Sequence, residues 1–205
     1  MTSAELKPSE QPEASAAGLP GHRLPAVDLD DWEGIRGSED GSGLRIAIAC
    51  SRFNGRVTGR LLKAALVELD RCGVSDGSRT VVWVSGAFEL PLAAMALART
   101  RQYDAIICLG AVIRGETSHY DFVAGQCAAG LQRVQLEMSL PVVFGVLTTE
   151  NLEQALARSG GAVGNKGTES AMTAIEMANL LRQVESTRPG VLDNASAAQK
   201  PRQES

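Results

Sequence analysis

The chain has 205 residues, of which 44% are hydrophobic and 21% are charged, and its formal net charge is -4. This length and apolar content are enough for one substantial buried core. The acidic balance offers no basic surface for nucleic acid. The longest apolar runs have only the length of strands, so no membrane span is predicted. The N-terminus lacks an apolar signal segment, which favours a cytoplasmic protein.

The two ends of the chain differ from its middle in composition. Residues 1–42 are rich in Pro, Ser, Gly, Ala, Asp and Glu without periodicity, so we expect a flexible acidic arm. Within this arm Leu24–Ile35 holds scattered apolar residues and is a candidate docking segment. Residues 185–205 are polar again and predict a disordered tail. The folded domain is therefore expected over residues 43–184.

Hydrophobic runs alternate with helical patterns through this middle part. In chain order, a strand at Leu44–Ala49 precedes a helix at Val57–Cys72, a strand at Thr80–Val84 precedes a helix at Glu89–Arg99, a strand at Asp104–Leu109 precedes a helix at Ser118–Met138, and a strand at Pro141–Leu147 precedes helices at Asn151–Ser159 and Thr168–Val184. Ser118 and Asp121 fit a loose capping box for the third helix. The alternation predicts an α/β fold, a three-layer α/β/α sandwich around a four-stranded parallel sheet.

The four cysteines lie far apart and form no C-x-x-C pair. Cys50 and Cys108 end hydrophobic strands, whereas Cys72 and Cys127 fall in helical patterns. A zinc site or a disulfide framework would need closer spacing. We therefore expect reduced, mostly buried side chains that act as small apolar residues.

Two glycine-containing segments resemble nucleotide-binding loops only superficially. The phosphate-binding loop motif requires Gly directly before its Lys, but Asn165 stands before Lys166. Gly41 and Gly43 precede the first strand instead of following it. These glycines are expected in turns, and Lys166 stays a candidate contact for a nearby anion.

His119 is one of two histidines in the chain and lies in the polar loop Ile113–Asp121, between a strand and a helix. Imidazole is well suited to moving protons near neutral pH. A helix N-terminus offers free N–H groups to an anion. The segment predicts a proton-transfer residue beside an anion site, with a structural histidine at the helix cap as the alternative.

Unusual residues stand at four strand-to-helix junctions, where ligands of parallel sheets bind. The four segments are Ser51-Arg52-Phe53-Asn54, Ser85-Gly86-Ala87-Phe88-Glu89-Leu90-Pro91, Val112-Ile113-Arg114-Gly115-Glu116-Thr117-Ser118-His119-Tyr120-Asp121 and Phe144-Gly145-Val146-Leu147-Thr148-Thr149-Glu150. With Gly164-Asn165-Lys166-Gly167 they resemble, in order and in spacing, the 6,7-dimethyl-8-ribityllumazine synthase family. The resemblance covers about residues 43–184 and implies the flavodoxin-like fold of that family.

The resemblance implies a transferase of riboflavin biosynthesis. Members condense 5-amino-6-(D-ribitylamino)uracil with 3,4-dihydroxy-2-butanone 4-phosphate and release dimethylribityllumazine, phosphate and water. No metal or organic cofactor is implied. Imine formation, phosphate elimination and ring closure demand proximity of two substrates and timed proton transfers.

The resemblance also implies where the uracil substrate binds. Phe53 would stack on the pyrimidine ring, Ala87, Phe88 and Glu89 would hold the ribityl chain and the ring edge, and Ala111, Val112 and Ile113 would line the ring pocket with backbone groups. Alternatives remain open for each group. Phe53 would otherwise be a core aromatic, Glu89 a carboxylate favoured by the helix dipole, and the three strand residues plain packing.

For the second substrate, the resemblance assigns the phosphate to the amides of Glu116 and Thr117, with Arg158 completing the site. His119 would be the general acid and base. In the family, Phe144 and Arg158 reach the pocket from the neighbouring subunit. From the sequence alone, Arg158 is equally typical of a solvated cation at a helix end.

Members of the family assemble as homopentamers, and in many of them twelve pentamers close into an icosahedral shell. The turn Gly160–Asn165 shows no insertion, which favours the shell-forming pattern. Riboflavin synthase is a candidate guest of such a shell.

Two other functions fit the same fold. An archaeal-type riboflavin synthase would dismutate two lumazine molecules and would need no site for butanone phosphate. A non-catalytic lumazine- or flavin-binding shell protein would keep Phe53 but would not need His119 or Arg158. Phosphate release separates the first alternative from the synthase, and the presence of both His119 and Arg158 argues against the second.

Overall fold

A computed structural model of the protein describes residues 34–187. Residues 1–33, with most of the candidate docking segment, and residues 188–205 of the predicted tail 185–205 lie outside the described residues. The elements are β1 (Ile46–Ser51), α1 (Gly55–Arg71), β2 (Arg79–Val84), α2 (Leu90–Arg99), β3 (Ala105–Ile113), α3 (His119–Met138), β4 (Val142–Thr149), α4 (Leu152–Ala157), β5 (Ser159–Gly161), β6 (Gly164–Asn165) and α5 (Lys166–Ser186), with short 3₁₀ turns at Asp76–Ser78 and Ala87–Glu89.

The main sheet has four parallel strands in the order β2-β1-β3-β4. Parallel strands need crossover connections, and the helices α1, α2 and α3 supply them. Every residue of β1 is buried, because helices cover both faces of the sheet. This double burial explains why the strands read as continuous apolar runs in the sequence. The predicted three-layer α/β sandwich is confirmed.

Two hydrophobic clusters lie on opposite faces of the sheet. On one face Ile46, Ile48 and Cys50 of β1 pack with apolar residues of α1 and α5. On the other face Ala47 and Ala49 pack with residues of α2 and α3. The alternation of side chains along a strand thus divides the core into two halves that share one sheet.

All four cysteines are free and buried, as expected. Burial raises the pKa of the Cys50 and Cys127 thiols to about 11. Burial likewise raises the pKa of Cys72 and of Cys108. Since the thiolate is the reactive form, these side chains act as small apolar residues of the core.

Several element ends differ from the prediction. β3 continues beyond Gly110 to Ile113, in register with the end of β4 at Thr149. The predicted strand ended at Leu109, but Gly110 pairs with Val146 of β4, and a Cβ added there would lie 3.2 Å from the Leu90 side chain. The antiparallel pair β5–β6 was predicted only as a turn.

The predicted capping box of α3 is wrong. Ser118 has helical dihedrals, and among the described residues its side chain caps no backbone amide. Asp121 instead forms an ion pair with Arg114, 3.0 Å away. The Asp121 carboxylate therefore binds a residue of the loop before the helix and does not cap the N-terminus of the helix.

Within residues 34–187, no helix combines the length and the apolar character needed to cross a membrane.

Candidate active site

A cavity of about 690 Å³ opens at the carboxyl ends of β1, β2 and β3. This volume falls within the usual range for small-molecule sites. Residues from three strand-to-helix connections line the cavity: Phe53, Asn54, Gly86, Ala87, Phe88, Glu89, Ala111, Val112, Ile113, Gly115, Thr117, His119, Tyr120, Phe122 and Val123. Three segments distant in the sequence thus meet because parallel strands end at the same edge of the sheet.

The turn between β1 and α1 holds Phe53 at the mouth of this cavity. Its side chain is 70% exposed, so the alternative of a core aromatic is wrong. The Phe53 amide donates to the Ser85 carbonyl over 3.0 Å. Asn54 has a left-handed backbone (φ 58°) and its side-chain amide donates to the Ala111 carbonyl over 2.8 Å. These two hydrogen bonds tie the turn to its neighbouring strands.

The connection between β2 and α2 is a 3₁₀ turn over Ala87–Glu89. Ala87 is buried, whereas Phe88 is 57% exposed. The Glu89 carboxylate accepts a hydrogen bond of 2.8 Å from the Gly86 amide. The alternative expected for Glu89, a role at the helix start, is therefore realised, and the same side chain also lines the cavity.

The connection between β3 and α3 brings His119 to the cavity. Ala111 and Val112 are buried at the end of β3, and the loop after them is exposed. His119 is the first residue of α3 and is itself exposed. Its backbone amide donates to the Thr117 hydroxyl over 3.4 Å. Proton transfer requires an accessible imidazole beside the ligand space, and this position provides it.

The sequence prediction missed other residues that line the cavity. Phe122 and Val123 follow His119 by three and four positions, so they lie on the same face of α3. This helical spacing was a usable signal. Asn54 was quoted within its motif but was given no role, because a left-handed turn is hard to foresee at a residue other than glycine.

Four of the predicted site residues do not line this cavity. Phe144 packs against the core face that carries α2 and α3, and Glu116 is exposed in the loop before α3. Arg158 and Lys166 each form an ion pair with Glu169 at 3.2 Å. Arg158 also donates to the Val163 carbonyl over 3.0 Å. Their assignment to the pocket stays a prediction.

The described part of the chain contains no group of three or more His, Cys, Asp or Glu side chains arranged to hold a metal ion.

Comparison with known proteins identifies the family. The family model for 6,7-dimethyl-8-ribityllumazine synthase matches residues 43–182. The chain is 54% identical over 143 residues to the 6,7-dimethyl-8-ribityllumazine synthase of Protochlamydia amoebophila (strain UWE25), which covers 70% of this chain and 83% of that protein. It is 55% identical over 141 residues to the synthase of the same name from Edwardsiella ictaluri (strain 93-146), with 68% and 90% covered. The chain belongs to the 6,7-dimethyl-8-ribityllumazine synthase family.

Membership in the lumazine synthase family makes the chain an enzyme, a transferase of riboflavin biosynthesis. The matched segment begins two residues after Gly41 and ends within α5, so it contains the whole sheet and the cavity. Neither the archaeal-type riboflavin synthase nor the non-catalytic shell protein is favoured, since both relatives are named as the synthase. The family is one of oligomeric enzymes that bind small-molecule substrates.

Proposed function

We propose that this cavity condenses 5-amino-6-(D-ribitylamino)uracil with 3,4-dihydroxy-2-butanone 4-phosphate to form 6,7-dimethyl-8-ribityllumazine. The observation that carries the proposal is the meeting of an exposed aromatic ring, Phe53, and an exposed imidazole, His119, in one cavity of about 690 Å³. The reaction needs a surface that binds a flat heterocycle and a group that transfers protons. Folding brings Phe53 and His119 together from the ends of different strands, and these two residues would meet both needs.

The uracil substrate would occupy the side of the cavity formed by β1 and β2. Phe53 would stack on its ring, which contributes about 0.5–1.5 kcal/mol beyond the burial of area. Ala87, Phe88 and Glu89 would hold the ribityl chain. Ala111, Val112 and Ile113 would offer backbone groups to the ring edge, although the Ala111 carbonyl already accepts from Asn54.

The phosphate of the second substrate would bind at the start of α3. The amides of Glu116 and Thr117 and the positive end of the helix dipole suit an anion there. Arg158 would add a charge-assisted contact from the neighbouring subunit, with Lys166 as a further cation. Glu169 pairs with both cations within one subunit. We therefore expect its carboxylate to fix the Arg158 and Lys166 side chains at the subunit boundary, where they would contact the phosphate.

His119 would move protons during imine formation, phosphate elimination and ring closure. General acid–base catalysis of this kind contributes about 10²–10⁴-fold. Holding both substrates in one cavity supplies much of the remaining acceleration by proximity. The residues proposed for binding are therefore as important for the rate as the imidazole is.

A homopentamer would complete the site, with Phe144 and Arg158 contributed across the boundary. Large apolar side chains exposed on α2 and α3, namely Leu92, Phe122 and Leu136, support an extensive contact between subunits. Closure of pentamers into an icosahedral shell, with riboflavin synthase as a candidate guest, is the further assembly that we propose. The free cysteines support a reducing, cytoplasmic setting.

A direct assay tests the proposed reaction. The purified protein is mixed with both substrates, and lumazine fluorescence and phosphate release are followed together. We expect the two products in equal amounts. In a parallel sample supplied with dimethylribityllumazine alone, consumption of lumazine would instead indicate the riboflavin synthase reaction. No turnover of the substrate pair would contradict the proposal.

A further inference from the structure

Arg114 lies where β3 ends and the loop that carries His119 begins. Its backbone amide donates to the Thr149 carbonyl at the end of β4 over 2.8 Å. Its guanidinium reaches forward into the first turn of α3. There it binds both carboxylate oxygens of Asp121, at 3.0 Å and 3.3 Å. One residue thus connects the sheet edge to the helix that begins at His119.

Two further contacts fix the same guanidinium. Its Nε lies 2.9 Å from the Glu150 carboxylate, which follows β4. Its central carbon lies 4.0 Å from the centroid of the Tyr120 ring, within the range of a cation–π contact. Tyr120 and Asp121 directly follow His119 in the chain. Arg114 therefore contacts the two residues next to the one that carries the imidazole.

The charges argue against a direct role for Arg114 in binding substrate phosphate. Hydrogen bonds that the guanidinium donates to Asp121, and then to Glu150, raise the pKa of Arg114, so the cation is permanent. Two carboxylates surround this one cation, and the local net charge is negative. An incoming phosphate would meet repulsion from Asp121 and Glu150 before it reached the guanidinium.

These contacts should matter more for the position of His119 than for the stability of the fold. The side chains of Arg114, Asp121 and Glu150 are 36%, 59% and 61% exposed, and ion pairs in such surroundings contribute about 0–1 kcal/mol. By contrast, a catalytic group displaced by about 1 Å can lose about 10²-fold in rate. Loosening the contacts should therefore affect the rate far more than the folding.

We propose that Arg114 is a positioning residue for His119, acting through the bidentate pair with Asp121 and the contact with Glu150. Since it concerns the acid–base role of His119, the inference rests on the proposed function. The planar, forked guanidinium is essential to it, because an ammonium group forms no bidentate pair with a carboxylate. A positive charge without the forked shape should therefore not replace the guanidinium.

Two substitutions separate positioning from direct phosphate binding. Arg114→Lys keeps the positive charge but loses the fork. Asp121→Asn keeps the size of the side chain but removes a negative charge beside the guanidinium. If Arg114 bound phosphate directly, Asp121→Asn would free it and lower the KM for the butanone phosphate. If Arg114 positions His119, both substitutions lower kcat.

The experiment measures kcat and both KM values on the assembled enzyme for the wild type, Arg114→Lys, Asp121→Asn and a control, Arg133→Lys. Arg133 pairs with Glu137 farther along the same helix, where its side chain is 77% exposed. We expect kcat to fall about 10–100-fold in the first two variants, with the KM for the uracil substrate within about threefold of the wild type. The control should keep wild-type values. Wild-type kcat in either of the first two variants would overturn the inference, as would a lowered KM for the butanone phosphate in Asp121→Asn.

Amide hydrogen exchange gives a readout that does not depend on turnover. Peptides that cover residues 115–123 should exchange faster in Arg114→Lys and Asp121→Asn, while peptides from α5 should be unchanged. Unchanged exchange in residues 115–123 would overturn the inference even if the enzyme is active. Faster exchange in a protein whose wild type forms no lumazine would contradict the proposed function and leave the contacts of Arg114 supported.

Discussion

The chain has two histidines, His22 and His119, and this small number allows a clean test of the proposed general acid–base residue. Replacing His119 by alanine removes the imidazole at the cavity but leaves Phe53 and the other lining residues in place. We expect kcat to fall about 10²–10⁴-fold. Turnover should not vanish, because the cavity still brings the two substrates together. Lumazine fluorescence under saturating substrates measures the effect.

His22→Ala is the matched control, and it should retain the wild-type kcat. A His119→Ala enzyme with unchanged turnover would contradict the assignment.

At the scale of residues, the sequence predicts which side chains line the cavity when these residues follow the end of a strand. Phe53 and His119 each follow a buried strand, Phe88 follows the half-buried edge strand β2, and all three line the cavity. Asn54 and Arg114 escaped prediction because their roles depend on which distant groups they meet. The Ala111 carbonyl and the Asp121 carboxylate become their partners only after the strands have aligned.

At the scale of elements, the N-terminus of α5 packs so closely on α1 that only glycine fits at one position. A Cβ added to Gly167 would lie 2.0 Å from the Leu61 carbonyl oxygen, a backbone atom that cannot move aside. The two helices would have to separate. Since α1 and α5 form one face of the core, we expect Gly167→Ala to lower the free energy of unfolding by about 1–3 kcal/mol or more.

Gly59→Ala provides the matched control for this prediction. Gly59 lies within α1 and is exposed, and a Cβ there meets no atom of the described chain within 4 Å. Alanine should stabilise the helix by about 0.5–1 kcal/mol, because glycine is the poorer helix former. Urea unfolding of both variants measures the difference. Equal midpoints for Gly167→Ala and the wild type would refute the close-packing argument.

Whole elements were easier to predict than their ends. The buried strands and the helical patterns of α1, α3 and α5 gave the architecture, because apolar periodicity survives in the folded state. The predictions of the end of β3 and of the cap of α3 were wrong for a common reason. Gly110 and Asp121 have local preferences for turns and caps, but Gly110 pairs with Val146 of β4 and Asp121 pairs with Arg114, and these tertiary contacts override the preferences.

At the scale of the whole molecule, a buried thiol lies on each side of the sheet, Cys50 of β1 in one core cluster and Cys127 of α3 in the other. Burial raises the pKa of both to about 11, whereas a thiol in the unfolded chain ionises at about pH 8.5. Between these values the unfolded chain loses protons that the folded chain keeps. The stabilising contribution is therefore complete below about pH 8.5 and is lost as the pH rises toward 11.

Urea midpoints of the wild type and of Cys127→Ala measure this pH dependence. Cys127→Ala should be less stable at neutral pH because a cavity forms in the core, but its midpoint should fall less steeply between pH 8 and pH 10. The slope, and not the absolute stability, carries the test. Parallel slopes for the two proteins would indicate that the Cys127 thiol does not remain protonated in the folded state.

The proposed assembly predicts that defective subunits can rescue one another. If each pocket takes His119 from one subunit and Arg158 from its neighbour, His119→Ala and Arg158→Ala subunits keep only residual activity by themselves but complement each other when co-assembled. In a ring assembled at random from equal amounts, about one quarter of the pockets combine both intact residues. Co-expression of the two variants should then restore about one quarter of the wild-type activity.

The control for this rescue mixes the two separately purified oligomers without exchange of subunits, and it should show only the sum of their residual activities. Within one subunit Arg158 pairs with Glu169 and does not line the cavity that His119 lines. A pocket confined to a single chain would therefore gain nothing from co-assembly. Absence of rescue in oligomers that demonstrably contain both variants would exclude a shared site, because neighbouring subunits could then not supply the missing cation.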